Sequence, residues 1–87
     1  MRTEIIITVK DKRKTFAYDV EVPTNISTQR AARDISHVLE AALGRQWISP
    51  KCVYGLKNER TGAVLAPEKS LYENGVWQGD VLTFMDE

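Results

Sequence analysis

The 87-residue chain has few of the residues from which covalent or metal sites are built. Its single cysteine, Cys52, excludes an intramolecular disulfide and a zinc site made of several thiolates. Its single histidine, His37, falls on the polar side of a predicted helix, where no cleft would hold a nucleophile beside it. We therefore predict that the chain is not an enzyme and has no catalytic residue.

Net charge and long hydrophobic runs are also lacking. Twelve basic residues balance twelve acidic residues, so no overall field attracts nucleic acid or anionic lipid. The three consecutive isoleucines Ile5–Ile7 form too short a run for a signal peptide, and no run approaches the ~20 residues that span a bilayer. We expect a cytoplasmic protein of one domain, residues 1–87, with no nucleic-acid partner and no direct membrane insertion.

Two other groups of residues could be mistaken for ligand sites. Asp80, Asp86 and Glu87 supply three carboxylates, but an oxygen-ligand metal site needs converging ligands, and an acidic tail is more often solvated. The glycines lack the spacing of a phosphate-binding loop and do not precede a helix. We predict no metal ligands, no cofactor-binding residues and no cofactor.

The segment Ser27–Leu43 has the periodicity of an amphipathic helix. Ser27 can cap its first turn, and Gly44 stands where a left-handed residue ends a helix. Ser36 and His37 fall on the polar arc. The opposite, less polar arc consists of Thr28, Ala31, Ala32, Ile35, Val38, Leu39, Ala42 and Leu43. A helix with one apolar face must pack on another element, which we predict to be a sheet.

The other segments alternate as strands do. Glu4–Lys10 and Thr15–Val22, joined by the polar turn Asp11–Lys14, predict an antiparallel hairpin that ends at Pro23. Three further strands are predicted after the helix: Cys52–Asn58, Ala63–Leu65 and Val81–Met85. A helix between two pairs of strands crosses one sheet face and brings the first and last strands together in parallel. The order predicts an α+β fold of the β-grasp type, with a mixed sheet of four to five strands.

The same alternation predicts which residues are buried. Leu71 and Val76 anchor the compact turn Ser70–Val76. The expected core consists of Ile5, Ile7, Val20, Val22, Ile35, Val38, Leu39, Leu56, Leu65, Leu71, Leu82 and Phe84.

With its elements in this order, the chain resembles a ubiquitin-like domain from Glu4 to Met85. The resemblance is most specific over Leu65–Phe84, where a leucine, a turn ending in Gly75-Val76, the pair Gly79-Asp80 and a strand follow one another. The stand-alone length, the Val22-Pro23 strand end and the Gly79-Asp80 pair are most similar to the small bacterial YukD/EsaB proteins. Those proteins accompany the type VII secretion apparatus of Gram-positive bacteria, and a related domain forms the cytosolic head of its membrane component EccD.

The resemblance implies a non-enzymatic adaptor of that apparatus. Its partner would be another protein, such as a cytosolic domain of a membrane secretion component, which would recruit it to the inner face of the membrane. A cytosolic regulatory binding protein unrelated to secretion is the alternative, and a homodimer is an open alternative for the partner. A sulfur carrier or protein modifier is least expected, because those proteins act through a C-terminal Gly-Gly and this chain has no Gly-Gly pair.

The sheet face opposite the helix is the expected docking surface. An apolar centre with a charged rim is the usual anatomy of a recognition site, and here the basic turn at Lys12–Lys14 adds to the rim. Trp77 is a further candidate beside this face, although a tryptophan that closes the edge of a small core is also common; the same choice applies to Trp47. The alternative for the face itself is β-propensity alone. The residues predicted to bind there are Ile6, Val53, Lys57, Val81 and Met85.

Overall fold

A computed structural model describes residues 3–11, 17–43 and 55–85 of the chain. Within these ranges the elements are β1 (Glu4–Lys10), β2 (Ala17–Pro23), α1 (Thr28–Leu43), β3 (Gly55–Asn58) and β4 (Val81–Met85). The bounds of β1 and β4 are those predicted. The predictions for the hairpin turn at 12–14, and for Gly44, Trp47, Cys52 and Val53, lie outside the described residues.

The four strands form one mixed sheet in the order β2-β1-β4-β3. β1 is antiparallel to β2 and parallel to β4, and β3 is antiparallel to β4. The parallel pairing of the first and last strands confirms the predicted β-grasp arrangement. Because α1 follows β2 and precedes β3, the chain crosses one face of the sheet between the two antiparallel pairs.

The predicted strand Ala63–Leu65 is not a full strand. It makes one isolated bridge, between Lys57 and Val64. Its backbone hydrogen bonds run from Asn58 N to Ala63 O (2.9 Å) and from Leu65 N to Leu56 O (2.9 Å). The segment is confined between the turn residue Gly62, which has a φ of 73°, and Pro67. The sheet of the described residues therefore has four strands.

The core lies between the sheet and α1. Every predicted core residue is buried except Val20, which is half-buried against the core, and Val38, which is exposed. Leu71 and Val76 are buried as predicted. Val9 also belongs to the core, although it was not among the predicted core residues. Ala31 and Ala32, which were predicted on the apolar arc of the helix but not in the core, are buried there too.

The face that α1 buries against the sheet differs slightly from the predicted face. Val38 is 59% exposed and Ala42 is also exposed, so their assignment to the buried arc was wrong. Ser36, which we predicted to be solvated, is 0% exposed, and its hydroxyl donates to Glu40 Oε1 at 3.2 Å. The period of a sequence shows which residues share a face but does not fix the angle at which that face meets the sheet. His37 is exposed, as predicted.

The N-terminus of α1 is capped from two directions. Ser27 Oγ accepts from Arg30 N at 3.2 Å, which confirms the predicted cap. The N–H groups of Thr28 and Gln29, which have no partner inside a helix, donate to Lys69 O (2.8 Å) and Pro67 O (3.0 Å). The loop before β4 therefore holds the start of the helix.

Asn74 fixes that loop in place. Its Oδ1 accepts from Ala66 N at 2.9 Å. Its Nδ2 donates to Ala66 O and Ser70 O, each at 3.0 Å, and to Thr28 Oγ1 on the helix at 3.0 Å. One side chain thus ties the loop to itself and to α1.

Candidate protein-binding surfaces

The outer face, defined as the sheet face opposite α1, carries the predicted docking residues. On each strand the core residues alternate with residues that point to this face. Val53 lies outside the described residues. The outer face is formed by Ile6, Thr8 and Lys10 of β1, Val81, Thr83 and Met85 of β4, Gly55 and Lys57 of β3, and Asp19 and Glu21 of β2.

Apolar side chains are exposed at both ends of β4 on this face. Ile6 is 44% exposed and Met85 is 37% exposed, while Val81 is half-buried between them. The backbone of Ile6 is fixed by the loop that leads into β4, because its N–H donates to Gln78 Oε1 and its C=O accepts from Gly79 N, both at 2.8 Å. The Ile6 side chain is therefore presented from a rigid position beside β4.

A basic row crosses the outer face between Val81 and Met85. Lys10 pairs in register with Thr83, and Thr83 pairs with Lys57 on the other side. Both lysines are half-buried, whereas Thr83 is 7% exposed. The Thr83 hydroxyl oxygen is buried and has no hydrogen-bond partner among the described residues. The surface is thus not uniformly apolar, because two cations flank its central threonine.

Trp77 forms a second exposed surface, in the loop before β4. Its side chain is 64% exposed. The guanidinium of Arg60 lies over its ring, with Cζ 4.0 Å from the ring centroid, which is a cation–π geometry. Arg60 Nη2 also donates to Gly75 O at 2.9 Å. The exposed tryptophan is therefore held against a fixed cation, an arrangement that the spacing of Arg60 and Trp77 along the chain does not reveal.

The buried carboxylate of Asp80 holds both Arg60 and Trp77 in place. Its carboxylate is 6% exposed and accepts from Arg60 Nε (2.8 Å), Trp77 N (2.8 Å) and Asn58 Nδ2 (3.0 Å). Burial raises the pKa of Asp80, but the hydrogen bonds from Arg60, Trp77 and Asn58 and the Arg60 charge outweigh it, and the pKa lies below its ordinary value. Asp80 in turn raises the pKa of Arg60 through their hydrogen bond. An ionised carboxylate with these partners positions the loop and offers no free acid or base.

Two other classes of site are absent from the described parts of the chain. Residues 3–11, 17–43 and 55–85 contain no group of three histidine, cysteine or acidic residues that could hold a metal ion. Over the same ranges, no helical segment has the length and apolar character that a bilayer span requires.

No family model matches the chain, and no curated protein sequence is significantly similar to it. Solved structures match it over nearly its whole length. A chain of the toluene 4-monooxygenase HD complex with the inhibitor 4-bromobenzoate is 14% identical with a TM-score of 0.77, covering 97% of this chain and 99% of that chain.

Two further matches come from type VII secretion. The ubiquitin-like domain of the Mycobacterium tuberculosis type VII secretion system protein EccD1 is 18% identical with a TM-score of 0.75, covering 98% of this chain and 100% of that chain. A chain of the MycP5-free ESX-5 inner membrane complex is 19% identical with a TM-score of 0.74, covering 99% of this chain but 22% of that chain. At these identities the matches show the fold, and the chain has the ubiquitin-like β-grasp fold that it shares with EccD1.

Proposed function

We propose that this chain is a non-enzymatic, ubiquitin-like adaptor that binds another protein through its outer face. The observation that carries the proposal is the exposure of Ile6 and Met85 on a sheet face that the helix leaves open. Exposed apolar groups on a broad surface, bordered by charged residues, are typical of protein interfaces.

We place this adaptor at a type VII secretion apparatus, at the cytosolic face of the membrane. The support is the likeness to the EccD1 domain and to a chain of the ESX-5 inner membrane complex. The chain of the toluene 4-monooxygenase complex has the same fold and also belongs to a multi-component assembly. The secretion setting agrees with the sequence resemblance.

The outer face also defines the chemistry of the partner. Adjacent strands are about 4.8 Å apart, so Lys10 and Lys57, two strands apart, have backbones separated by about 10 Å. A carboxylate placed over Thr83 would lie between both ammonium groups. The partner would therefore present apolar side chains toward Ile6, Val81 and Met85 and an acidic residue toward the lysines.

The test uses the purified chain and the purified cytosolic regions of the type VII membrane components of the same organism, with binding measured by calorimetry. The Ile6→Asp/Met85→Asp double variant should bind at least tenfold more weakly than wild type. Tyr72→Asp is the matched control, because Tyr72 is 63% exposed and lies off the outer face, and it should leave affinity unchanged. Circular dichroism melts establish that both variants are folded.

The two parts of the proposal can fail separately. Unchanged affinity in a folded double variant would show that the outer face is not the docking surface. If no type VII component bound the wild-type chain, the proposed role in secretion would be wrong. Binding to a cytosolic regulator instead would favour the alternative of a regulatory protein.

A further inference from the structure

A groove lies between β2 and α1, at the margin of the sheet. It has a volume of about 340 Å³. Its apolar lining includes Val20 and Val22 from β2 and Ile35 and Val38 from α1. The exposure of Val38, which the helical period did not predict, goes with this groove, because no strand of residues 3–11, 17–43 or 55–85 lies beyond β2 to cover it.

Alternate residues of β2 direct their backbone N–H and C=O groups away from β1. Ile6 uses its N–H and C=O on the β4 side, so the Ile6–Glu21 pair is a non-hydrogen-bonded pair of the antiparallel ladder. The N–H and C=O groups of Glu21 therefore point away from β1, and by the same alternation so do those of Asp19. Within the described residues these groups have no hydrogen-bond partner.

The opposite edge of the sheet differs. There, Asn58 N and Leu65 N form backbone hydrogen bonds with Ala63 O and Leu56 O, so the segment Ala63–Leu65 covers part of β3. β2 is thus the edge of this sheet with a row of outward backbone groups and an apolar groove beside it. Such an edge is a template for an added strand.

Charge on the rim restricts what the added strand can be. Asp19, Glu21 and Asp34 border the groove, and the side chains of Asp19 and Glu21 lie on its outer-face side. Asp34 has a long ion pair with Arg30, at 3.9 Å between exposed groups, and Asp19 Oδ1 accepts from Thr8 Oγ1 at 2.7 Å. Glu21 has neither kind of contact among the described residues. An occupant with basic side chains complements this rim.

We propose that the groove binds an extended segment of a partner protein, which pairs with β2 as a fifth strand and alternates apolar with basic side chains. Alternation follows from the geometry of a strand, since successive side chains point to opposite faces. Apolar side chains would enter the groove beside Val38, and basic side chains would lie on the outer face beside Asp19 and Glu21. Pro23 has no N–H, so the pairing is limited to about five residues between Ala17 and Pro23.

A second copy of this chain fits the edge poorly. Two copies of β2 pairing antiparallel about a two-fold axis would bring the acidic side chains of Asp19 and Glu21 of both copies together on one face. Like charges opposite each other in a sheet are destabilising. A basic segment has the opposite effect, which is why the proposal commits to it.

The test uses a blocked seven-residue peptide in which three valines alternate with four lysines. On binding, the amide protons of Asp19 and Glu21 should exchange with solvent at least tenfold more slowly, because they acquire carbonyl partners. A peptide with glutamate in place of every lysine should bind at least tenfold more weakly. A peptide with proline in place of the central valine should lose the amide protection.

Matched variants separate the groove from the rest of the surface. Val38→Asp should weaken peptide binding at least tenfold, whereas Val64→Asp, at a residue of similar exposure (60%) on the opposite edge, should not. Glu21→Lys should weaken binding, whereas Glu68→Lys, at an exposed residue outside the groove lining, should not. These residues differ from those that test the outer-face proposal, so the two can fail independently.

Any one of three outcomes would overturn the proposal. Peptide binding without protection of the two amides would indicate electrostatic attraction alone. Binding unaffected by Val38→Asp in a folded variant would exclude the groove. Sedimentation of the wild-type chain as a dimer that Val38→Asp dissociates would make a second copy the occupant.

Discussion

The guanidinium carbon of Arg60 lies 4.0 Å from the centroid of the Trp77 ring, while Nε of the same guanidinium donates to Asp80 at 2.8 Å. One arginine therefore connects a buried carboxylate to an exposed aromatic ring. Because Asp80 also accepts from the backbone N–H of Trp77, the ring and its backbone are held by the same group. The loop before β4 is thus stabilised by a charge, and its stability depends on pH.

The first prediction concerns acid. The pKa of Asp80 is lower in the folded chain than its ordinary value of about 3.9. Its contribution to stability is therefore complete at pH values above the ordinary pKa and is lost as the pH falls through the folded pKa. Asp80→Asn should be less stable than wild type at pH 7, and urea midpoints should converge as the pH is lowered below about 4. A difference that stays constant down to pH 2 would contradict the assignment.

The second prediction concerns the central threonine of the outer face. Thr83→Val removes a buried hydroxyl without a partner and keeps the side-chain shape, so it should stabilise the fold by about 1 kcal/mol. Thr83→Ser keeps the hydroxyl and loses a methyl group, so it should destabilise. Urea denaturation measures both. Destabilisation by valine would mean that the hydroxyl has a partner in solution.

The third prediction concerns Asn74. Its amide joins the loop before β4 to Thr28 at the start of α1, so Asn74→Ala should cost about 1–3 kcal/mol of the free energy of unfolding. Asn25→Ala is the matched control, because Asn25 is exposed, and it should change stability by less than about 0.5 kcal/mol. Equal effects of the two variants on the melting temperature would show that the network contributes nothing specific.

The fourth prediction concerns the orientation of α1. Leu39 is 1% exposed, so Leu39→Ala should cost about 2–5 kcal/mol. His37→Ala and Val38→Ala, both at exposed positions, should each change stability by less than about 0.5 kcal/mol. The comparison with Val38 is the sharper one, because the two neighbours have similar hydrophobicity and differ in burial. A large loss of stability in Val38→Ala would instead support the buried helix face that the period predicted.

The fold was predictable because local patterns and connection rules constrain it. Alternation fixed the limits of β1 and β4, and the position of the helix between two pairs of strands required the parallel β1–β4 pairing. The side-chain network around Asp80 and Asn74 was not predictable, since its members are brought together by the fold and not by their spacing. The exposure of Val38 was missed because a helical period carries no information on where the sheet ends.

The outer face was predicted in composition but not in arrangement. Ile6, Val81 and Met85 lie on it as their alternation required. The flanking of Thr83 by Lys10 and Lys57 depends on the registers of three strands, and short strands leave the register undetermined until their turns are known. Whether this face or the Trp77 loop binds the partner stays a prediction that the variants above address.

The difference between the two sheet edges also limits how these molecules can polymerise. A fibre of stacked sheets grows only when each subunit offers two edges, one to receive and one to donate. Here, the segment Ala63–Leu65 occupies part of one edge, and β2 is the edge that no other described segment covers. Pairing through β2 consumes the open edge of each participant, so an assembly formed in this way ends at two chains and cannot propagate.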